Sequence, residues 1–173
     1  VVPFTTDDVP SGISVSNNSV AMTGYALNTN AIKDILTVQL NATSGVANWS
    51  QLYNSPFAKN DDANALVTDA NDNIYIAAST ERANGQKDAL LLNYQANGSA
   101  YADLSFSGTG DNSDNVRAMT TDAAGNVYMA GYRTSPTDRD FAVWKINTAG
   151  DTVWTRALNG TSSYSSDEAV SIA

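Results

Sequence analysis

A chain that repeats itself at a fixed spacing must fold into repeated units that bury their faces against one another, and this chain does so. Asp61-Asp62-Ala63-Asn64-Ala65-Leu66-Val67-Thr68-Asp69 aligns with Asp114-Asn115-Val116-Arg117-Ala118-Met119-Thr120-Thr121-Asp122, an offset of 53 residues. Asn73-Ile74-Tyr75-Ile76-Ala77 then falls on Asn126-Val127-Tyr128-Met129-Ala130. After one residue of slippage, Asp88-Ala89-Leu90-Leu91-Leu92 falls on Asp140-Phe141-Ala142-Val143-Trp144, Gly98 on Gly150 and Gly108 on Gly160. A more diverged copy lies upstream, with Asp8, Ile13, Gly24-Tyr25, Asp34, Gly45 and Trp49, and a further one opens at Asp167-Glu168-Ala169-Val170.

Within each copy the segments are short, rich in Val, Ile, Tyr and Trp, and separated by turn clusters, which is the pattern of strands. In the third copy the expected strands run over 118–122, 126–133, 140–147 and 153–159. Ala123-Ala124-Gly125-Asn126 and Thr148-Ala149-Gly150-Asp151 read as tight turns whose glycines supply a positive φ. No segment sustains a 3.6-residue apolar period, so the expected class is all-β with almost no helix. Three repeats of about 53 residues, each of four antiparallel strands, plus the first strand of a fourth, match the blades of a β-propeller. The alternative is a β-trefoil, which also has three four-stranded units. The expected division is an N-terminal strand or extension at 1–6, repeats at 7–60, 61–113 and 114–166, and the start of a fourth repeat at 167–173.

The third copy, Asp114-x-Val-x-Ala-Met-x-x-Asp122-x-x-Gly125-Asn126-Val-Tyr128-x-x-Gly131-Tyr132 followed by Gly150-x-x-x-Trp154, resembles the bacterial SBBP β-propeller repeat of large secreted and surface proteins. The resemblance runs from Asp7 onward and implies a blade architecture and an extracellular or cell-surface location. It implies no chemistry, because the matching residues are those that build a blade. The first copy departs from the pattern, with a first turn one residue shorter and Val20-Ala21 in place of the Val-Tyr pair. Propellers close with four to eight blades. Three blades and one strand are therefore expected to be completed by further chain or by pairing between subunits.

Composition narrows the function classes. There is no histidine and no cysteine, which excludes Ser-His-Asp and Cys-His catalysis, Cys/His zinc sites and disulfides. The net charge is −9, which disfavours nucleic acid and anionic lipid as partners. No apolar run reaches the roughly 18 residues of a membrane span, so no membrane insertion is expected. With 19 Asn, 18 Ser and 17 Thr, the surface is wetted by neutral polar groups, which suits an extracellular β-protein.

Variable loops on a rigid scaffold are where binding resides, and the loops between second and third strands, 27–33, 80–87 and 133–139, differ from copy to copy. They carry Lys33, Arg82, Lys87, Arg133 and Arg139, beside the acids of the inter-repeat loops. Two readings follow: inter-blade ion pairs, or a polar site for a protein or glycan partner, or for copies of the chain itself. Asp8, Asp61, Asp114 and Asp167 recur once per repeat, as do Asp34, Asp88 and Asp140. A catalytic residue is needed only once, so the recurring acids read as turn caps that accept backbone N–H groups. No cofactor is expected. Calcium is the remaining option, at 69–73 or 111–114, but neither segment has the length or terminal glutamate of an EF-hand loop. An enzyme could use only a carboxylate pair, as glycosidases do, and the acids outside the repeat, Asp103 and Glu81, have no evident partner. The expected function is therefore a non-enzymatic binding, adhesion or scaffold module, with assembly between chains as the alternative.

Overall fold

The computed structural model describes residues 7–16, 18–107, 112–136, 138–159 and 166–173. They form twelve strands: β1 (Asp8–Val15), β2 (Ser19–Leu27), β3 (Lys33–Asn41), β4 (Ala47–Tyr53), β5 (Asp61–Thr68), β6 (Ile74–Glu81), β7 (Lys87–Tyr94), β8 (Ala100–Phe106), β9 (Asn115–Thr121), β10 (Val127–Thr134), β11 (Arg139–Ile146) and β12 (Thr152–Leu158). There is no helix among the described residues. The strands make three antiparallel four-stranded sheets in sequential order, β1–β4, β5–β8 and β9–β12. The fold is all-β, with one sheet per sequence repeat. In the third copy the first strand begins at Asn115 rather than Ala118. The polar, charged Arg117 breaks the alternation there without ending the ladder.

Alternation explains how the sheets stack. In β6, Ile74 and Ile76 face the first sheet, while Tyr75 and Ala77 face the third. Leu90 and Leu92 of β7 join the former set, and Ala89 and Leu91 the latter. The middle sheet is therefore apolar on both faces and buried on both, as a strand sandwiched between layers must be. One core, between the first and second sheets, is built on Ala21, Ile35, Leu66, Ile76 and Leu90; the other is built on Val116, Met129, Ala142 and Trp144. Trp144 is only 1% exposed and meets Phe106 with ring centroids 6.2 Å apart.

Each sheet carries two register slips, at matching places. The first strands skip Ser11, Asn64 and Arg117, and the fourth strands skip Asn48, Tyr101 and Val153, while the central hairpins pair without a break. These are β-bulges, each adding one unpaired residue and bending its strand. Two of the first-strand bulges reach to the next unit, whereas Ser11 bonds within its own sheet, to the Thr23 carbonyl. Asn64 Nδ2 donates to Asn115 Oδ1 at 3.0 Å and to the Val116 carbonyl at 2.8 Å, and Arg117 pairs with Glu168.

The first turns are aspartate-built. Asp122 Oδ1 accepts from the backbone N–H groups of Ala124 at 3.0 Å and Asn126 at 2.9 Å, and its Oδ2 accepts from Asn126 Nδ2 and the Tyr128 hydroxyl. Asp69 does the same with Asn71, Asn73 and Tyr75. In the shorter first copy Ser16 takes this place and accepts from the Ser19 N–H at 3.1 Å. The positive φ that Gly125 supplies in the third copy (81°) is taken in the second by Asp72 (62°). Aspartate tolerates that region better than most side chains.

Candidate functional site

The hairpin turns β2–β3, β6–β7 and β10–β11 lie at one end of the three sheets, together with the segment 166–168. All five cations singled out in the sequence lie at this rim, and the structure gives each a neighbour. Asp62 sits between two lysines, with Lys33 Nζ of the first sheet at 3.0 Å and Lys87 Nζ of the second at 2.7 Å. Lys33 also lies over the Tyr25 ring at 4.4 Å, and its repeat counterpart Arg139 lies over Tyr132 at 4.5 Å. Arg82 Nη2 pairs with Asp88 at 3.1 Å and reaches the Asn112 carbonyl at 3.5 Å. Arg133 is the cation whose charge acts on Asp140.

The recurring acids are placed unequally. Asp61 and Asp114 are fully buried. Asp61 Oδ2 accepts from the Ser55 N–H at 2.7 Å, and Asp114 Oδ1 from the Thr134 N–H at 2.9 Å. The Asp114 N–H donates to the Lys87 carbonyl at 2.7 Å, and the Asp167 N–H donates to its counterpart, the Arg139 carbonyl, at 2.8 Å. The segment 166–173 thus starts where the first strand of a fourth unit would start. Asp8, by contrast, is exposed.

Burial and neighbours drive the rim carboxyls apart. Desolvation raises Asp61 above the ordinary carboxylate range, against the pull of hydrogen bonds from Ser55 and Thr80. Its neighbour Asp62 moves the other way: burial raises it, but the hydrogen bonds and charges of Lys87 and Lys33 outweigh burial and hold it low. Asp34 is raised by desolvation, opposed by Asn28. Asp140 is raised by desolvation and then by the carboxylates of Asp138 and Asp167, with Arg133 opposing them.

A cleft of about 280 Å³ opens at this end between the first and second sheets, lined by Tyr53, Phe57, Thr80, Asp88, Leu90 and Asp103 among others. Burial first, then the charges of Asp103 and Asp61, push the Tyr53 phenol up to about 12, so it stays a hydrogen-bond donor at neutral pH. Asp103 and Asp88 share this cleft, and Asp88 is already engaged by Arg82. At the opposite end, a groove of about 440 Å³ between the second and third sheets is lined by amides and a phenol, including Asn73, Tyr75, Asn93 and Asn97.

At the segment considered for calcium, 69–73, both Asp69 oxygens accept from protein donors. Asp72 Oδ1 takes the hydroxyls of Ser16 and of Ser19, the latter at 3.2 Å, across the sheet interface. No group of three or more acidic side chains that could hold a metal occurs among the described residues. Residues 1–6, Asn17, Gly108, Asp111 and Gly160 lie outside the described residues, and with them the N-terminal strand and one member of the second calcium candidate.

The recurrence of Trp49 as Trp154 reads in the sequence as core or inter-blade packing; the partners that Trp49 and Gln51 find at the turn end were not legible there. Trp49 of β4 donates from Nε1 to the Ala96 carbonyl at 2.9 Å and meets Tyr94 with centroids 5.7 Å apart. It also lies against Gly98, where an added Cβ would come within 2.8 Å of its Cγ. Gln51 Nε2 donates to the Gly98 carbonyl at 2.8 Å. The signal was present in the chain: Trp49 recurs as Trp154, and Gly98 recurs as Gly45 and Gly150.

No protein-family model matches the chain, and no curated protein matches it. Among solved structures the chain is similar to the acylaminoacyl peptidase of Pyrococcus horikoshii, with a TM-score of 0.56 and 14% identity over 90% of this chain. The match spans 26% of that peptidase chain. At this identity the likeness concerns the fold alone.

Proposed function

We propose that the chain is a run of β-propeller blades of the SBBP-like type, and that it serves as a non-enzymatic extracellular scaffold. Its ordered rim would be held out to a protein or glycan partner. One observation carries the reading. One rim carboxylate is shared between repeats: Asp62 of the second sheet holds Lys33 of the first sheet together with Lys87 of its own. Charges shared in this way stiffen the stack, and a stiff rim loses little conformational freedom when a partner binds. The absence of histidine and cysteine and the engagement of Asp88 by Arg82 leave little on the rim for acid–base or nucleophilic chemistry.

The test is Asp62→Ala, followed by thermal unfolding. Removing the shared carboxylate leaves two lysines facing each other, and a partly exposed pair of this kind is worth about 1 kcal/mol or somewhat more. The expected fall in Tm is about 2–6 °C for a chain of this size. An unchanged Tm would show that the rim charges do not fasten the sheets and would favour a free ligand site instead.

A further inference from the structure

Cross-strand pairing sets one residue from each of the last three strands of a sheet side by side, and near the turn end this row reads differently in each copy. It is Ala21, Gln39 and Trp49 in the first sheet, Tyr75, Asn93 and Ala102 in the second, and Tyr128, Lys145 and Trp154 in the third. Between the first two sheets, Trp49 reaches over the following turn to the Ala96 carbonyl and Gly98. The second sheet has alanine at that register place and so brings no indole to the turn of the third. The groove of about 440 Å³ opens there. It is lined by Tyr75 and Asn93 of this row, by Asn73, Gln95 and Asn97 of the second sheet's turns, and by Thr148 of the third sheet's turn.

The amide of this row is satisfied in one interface and not in the other. Gln39 Oε1 accepts from Asn48 Nδ2 at 3.1 Å, and Gln39 Nε2 donates across the interface to the Asp72 carbonyl at 3.4 Å. Asn93 is one carbon shorter and only 9% exposed, and its Oδ1 has no donor among the described residues. A buried acceptor in this state is costly until a donor reaches it. Rotation of the terminal amide turns either Oδ1 or Nδ2 toward the groove.

The rest of the wall decides what that donor belongs to. Amides, a hydroxyl and a phenol both donate and accept and carry no charge. No lysine or arginine is among the described residues that line the groove, so an anion finds no counter-charge there. Through Asn73, Tyr75 and Thr148 the groove runs on into a second hollow of about 470 Å³, bordered by Asp69 and Asp122. Both carboxylates are engaged by N–H groups of their own turns and offer little to a cation. An apolar ligand would strand the amides. An extended peptide is held through an open ladder of backbone groups, and β7 is paired on both sides. What matches the wall is a neutral molecule dense in hydroxyls. The volume lies in the range of small-molecule sites, and its continuation into a second hollow suits linked rings better than one.

We propose that the groove between the second and third sheets binds a neutral glycan, an uncharged chain of linked sugar rings, with a sugar hydroxyl donating to Asn93 Oδ1. The exposed side chains of Gln95 and Asn97 bond further hydroxyls at its mouth. The site lies at the opposite end of the sheets from the charged rim and uses none of Lys33, Asp62 and Lys87. It therefore stands or falls apart from the reading of the rim.

The test is NMR titration of the 173-residue chain with short cello-, malto-, xylo-, manno- and chito-oligosaccharides, and with the uncharged peptide N-acetyl-tetra-alanine amide as the rival probe. At least one oligosaccharide series is expected to bind with a Kd of about 1 mM or tighter. Its shifts should fall on Asn93, Gln95, Asn97 and Thr148 and spare Lys33 and Asp62. Asn93→Leu, which removes the unmet acceptor, is expected to weaken binding about tenfold while Tm holds or rises. Gln95→Ala, which keeps the backbone bonds of its turn, is expected to weaken it about 3–10-fold; this variant decides the matter if Asn93→Leu does not fold. Asp62→Ala, on the rim, should leave the affinity unchanged. The proposal is overturned if no series binds by about 5 mM, if the shifts gather at the rim, or if the peptide binds in place of the sugars. Affinity indifferent to both groove substitutions, or a lower Tm with intact affinity for Asn93→Leu, would make these amides packing residues and overturn it as well.

Discussion

Substituting Gly98 by alanine should cost much more than substituting a glycine of the same backbone conformation elsewhere, and the difference measures one tryptophan. Gly98 and Gly85 both hold turns at positive φ, 84° and 81°. An L side chain in this region costs roughly 1–2 kcal/mol, partly offset by the stiffer unfolded chain, about 0.4–1 kcal/mol. Gly85→Ala meets open space, so about 1 kcal/mol is the whole expected loss. At Gly98 the new methyl would lie 2.8, 2.9 and 3.3 Å from Trp49 Cγ, Cδ2 and Cβ, well inside the ~3.5–4.0 Å at which carbon atoms attract. Relieving that overlap pushes Trp49 off Tyr94 and strains its bond to the Ala96 carbonyl, an overpacking cost of about 1–3 kcal/mol more. In thermal melts, Gly85→Ala is expected to lower Tm by about 2–4 °C and Gly98→Ala by about 5–12 °C. Adding Gly98→Ala to a Trp49→Ala chain should cost only what Gly85→Ala costs. A Gly98→Ala loss no larger than that of Gly85→Ala, or a coupling below about 0.5 kcal/mol in the cycle with Trp49→Ala, would refute the idea that this contact fastens the first two sheets.

The adjacent carboxyls Asp61 and Asp62 should give pH dependences of opposite sign. The raised Asp61 binds its proton more tightly in the folded chain, so its contribution is fully present below its unfolded value near 3.8 and is lost as pH rises through the higher folded value. The lowered Asp62 contributes above that unfolded value and loses its contribution as pH falls through a still lower one. Urea unfolding from pH 3 to 7 is therefore expected to show Asp61→Asn removing a decline toward neutral pH and Asp62→Asn removing a rise from acid; slopes of the same sign would contradict both assignments. Trp144→Ala, which empties the core between the second and third sheets, is expected to cost about 3–5 kcal/mol in denaturant unfolding, and a loss below 1 kcal/mol would mean that the site collapses or that the core lies elsewhere.

The sheets were legible in the sequence because period-two alternation and turn chemistry are local. Gly45, Gly98, Gly125 and Gly150 all adopt the positive φ that their turns require. Strand ends were less legible. Arg117 broke the apolar pattern of the third repeat as a charged residue, whereas in the fold it is the extra residue of a bulge and pairs with Glu168. The rim cations were found as a group, but their pairing was not. Whether Asp62 meets Lys33, Lys87 or both depends on how one sheet is displaced over the next, which no single repeat encodes. Asp72 shows the same limit: its sequence neighbours suggested a cation loop, and only stacking brings Ser16 and Ser19 to its carboxylate.

The paired bulges bear on how such a stack avoids sticking to the wrong neighbour. A sheet's outer strands turn one row of backbone groups away from their neighbour, and a straight row of this kind invites any passing strand to extend it. Here the interruption falls on the first and fourth strands of all three sheets and spares the two inside. An incoming strand in register on one side of Asn48 or Val153 is out of register on the other. Growth edge to edge into an amyloid-like ribbon is thereby frustrated, and the broad apolar faces are left as the route by which the sheets can add to one another.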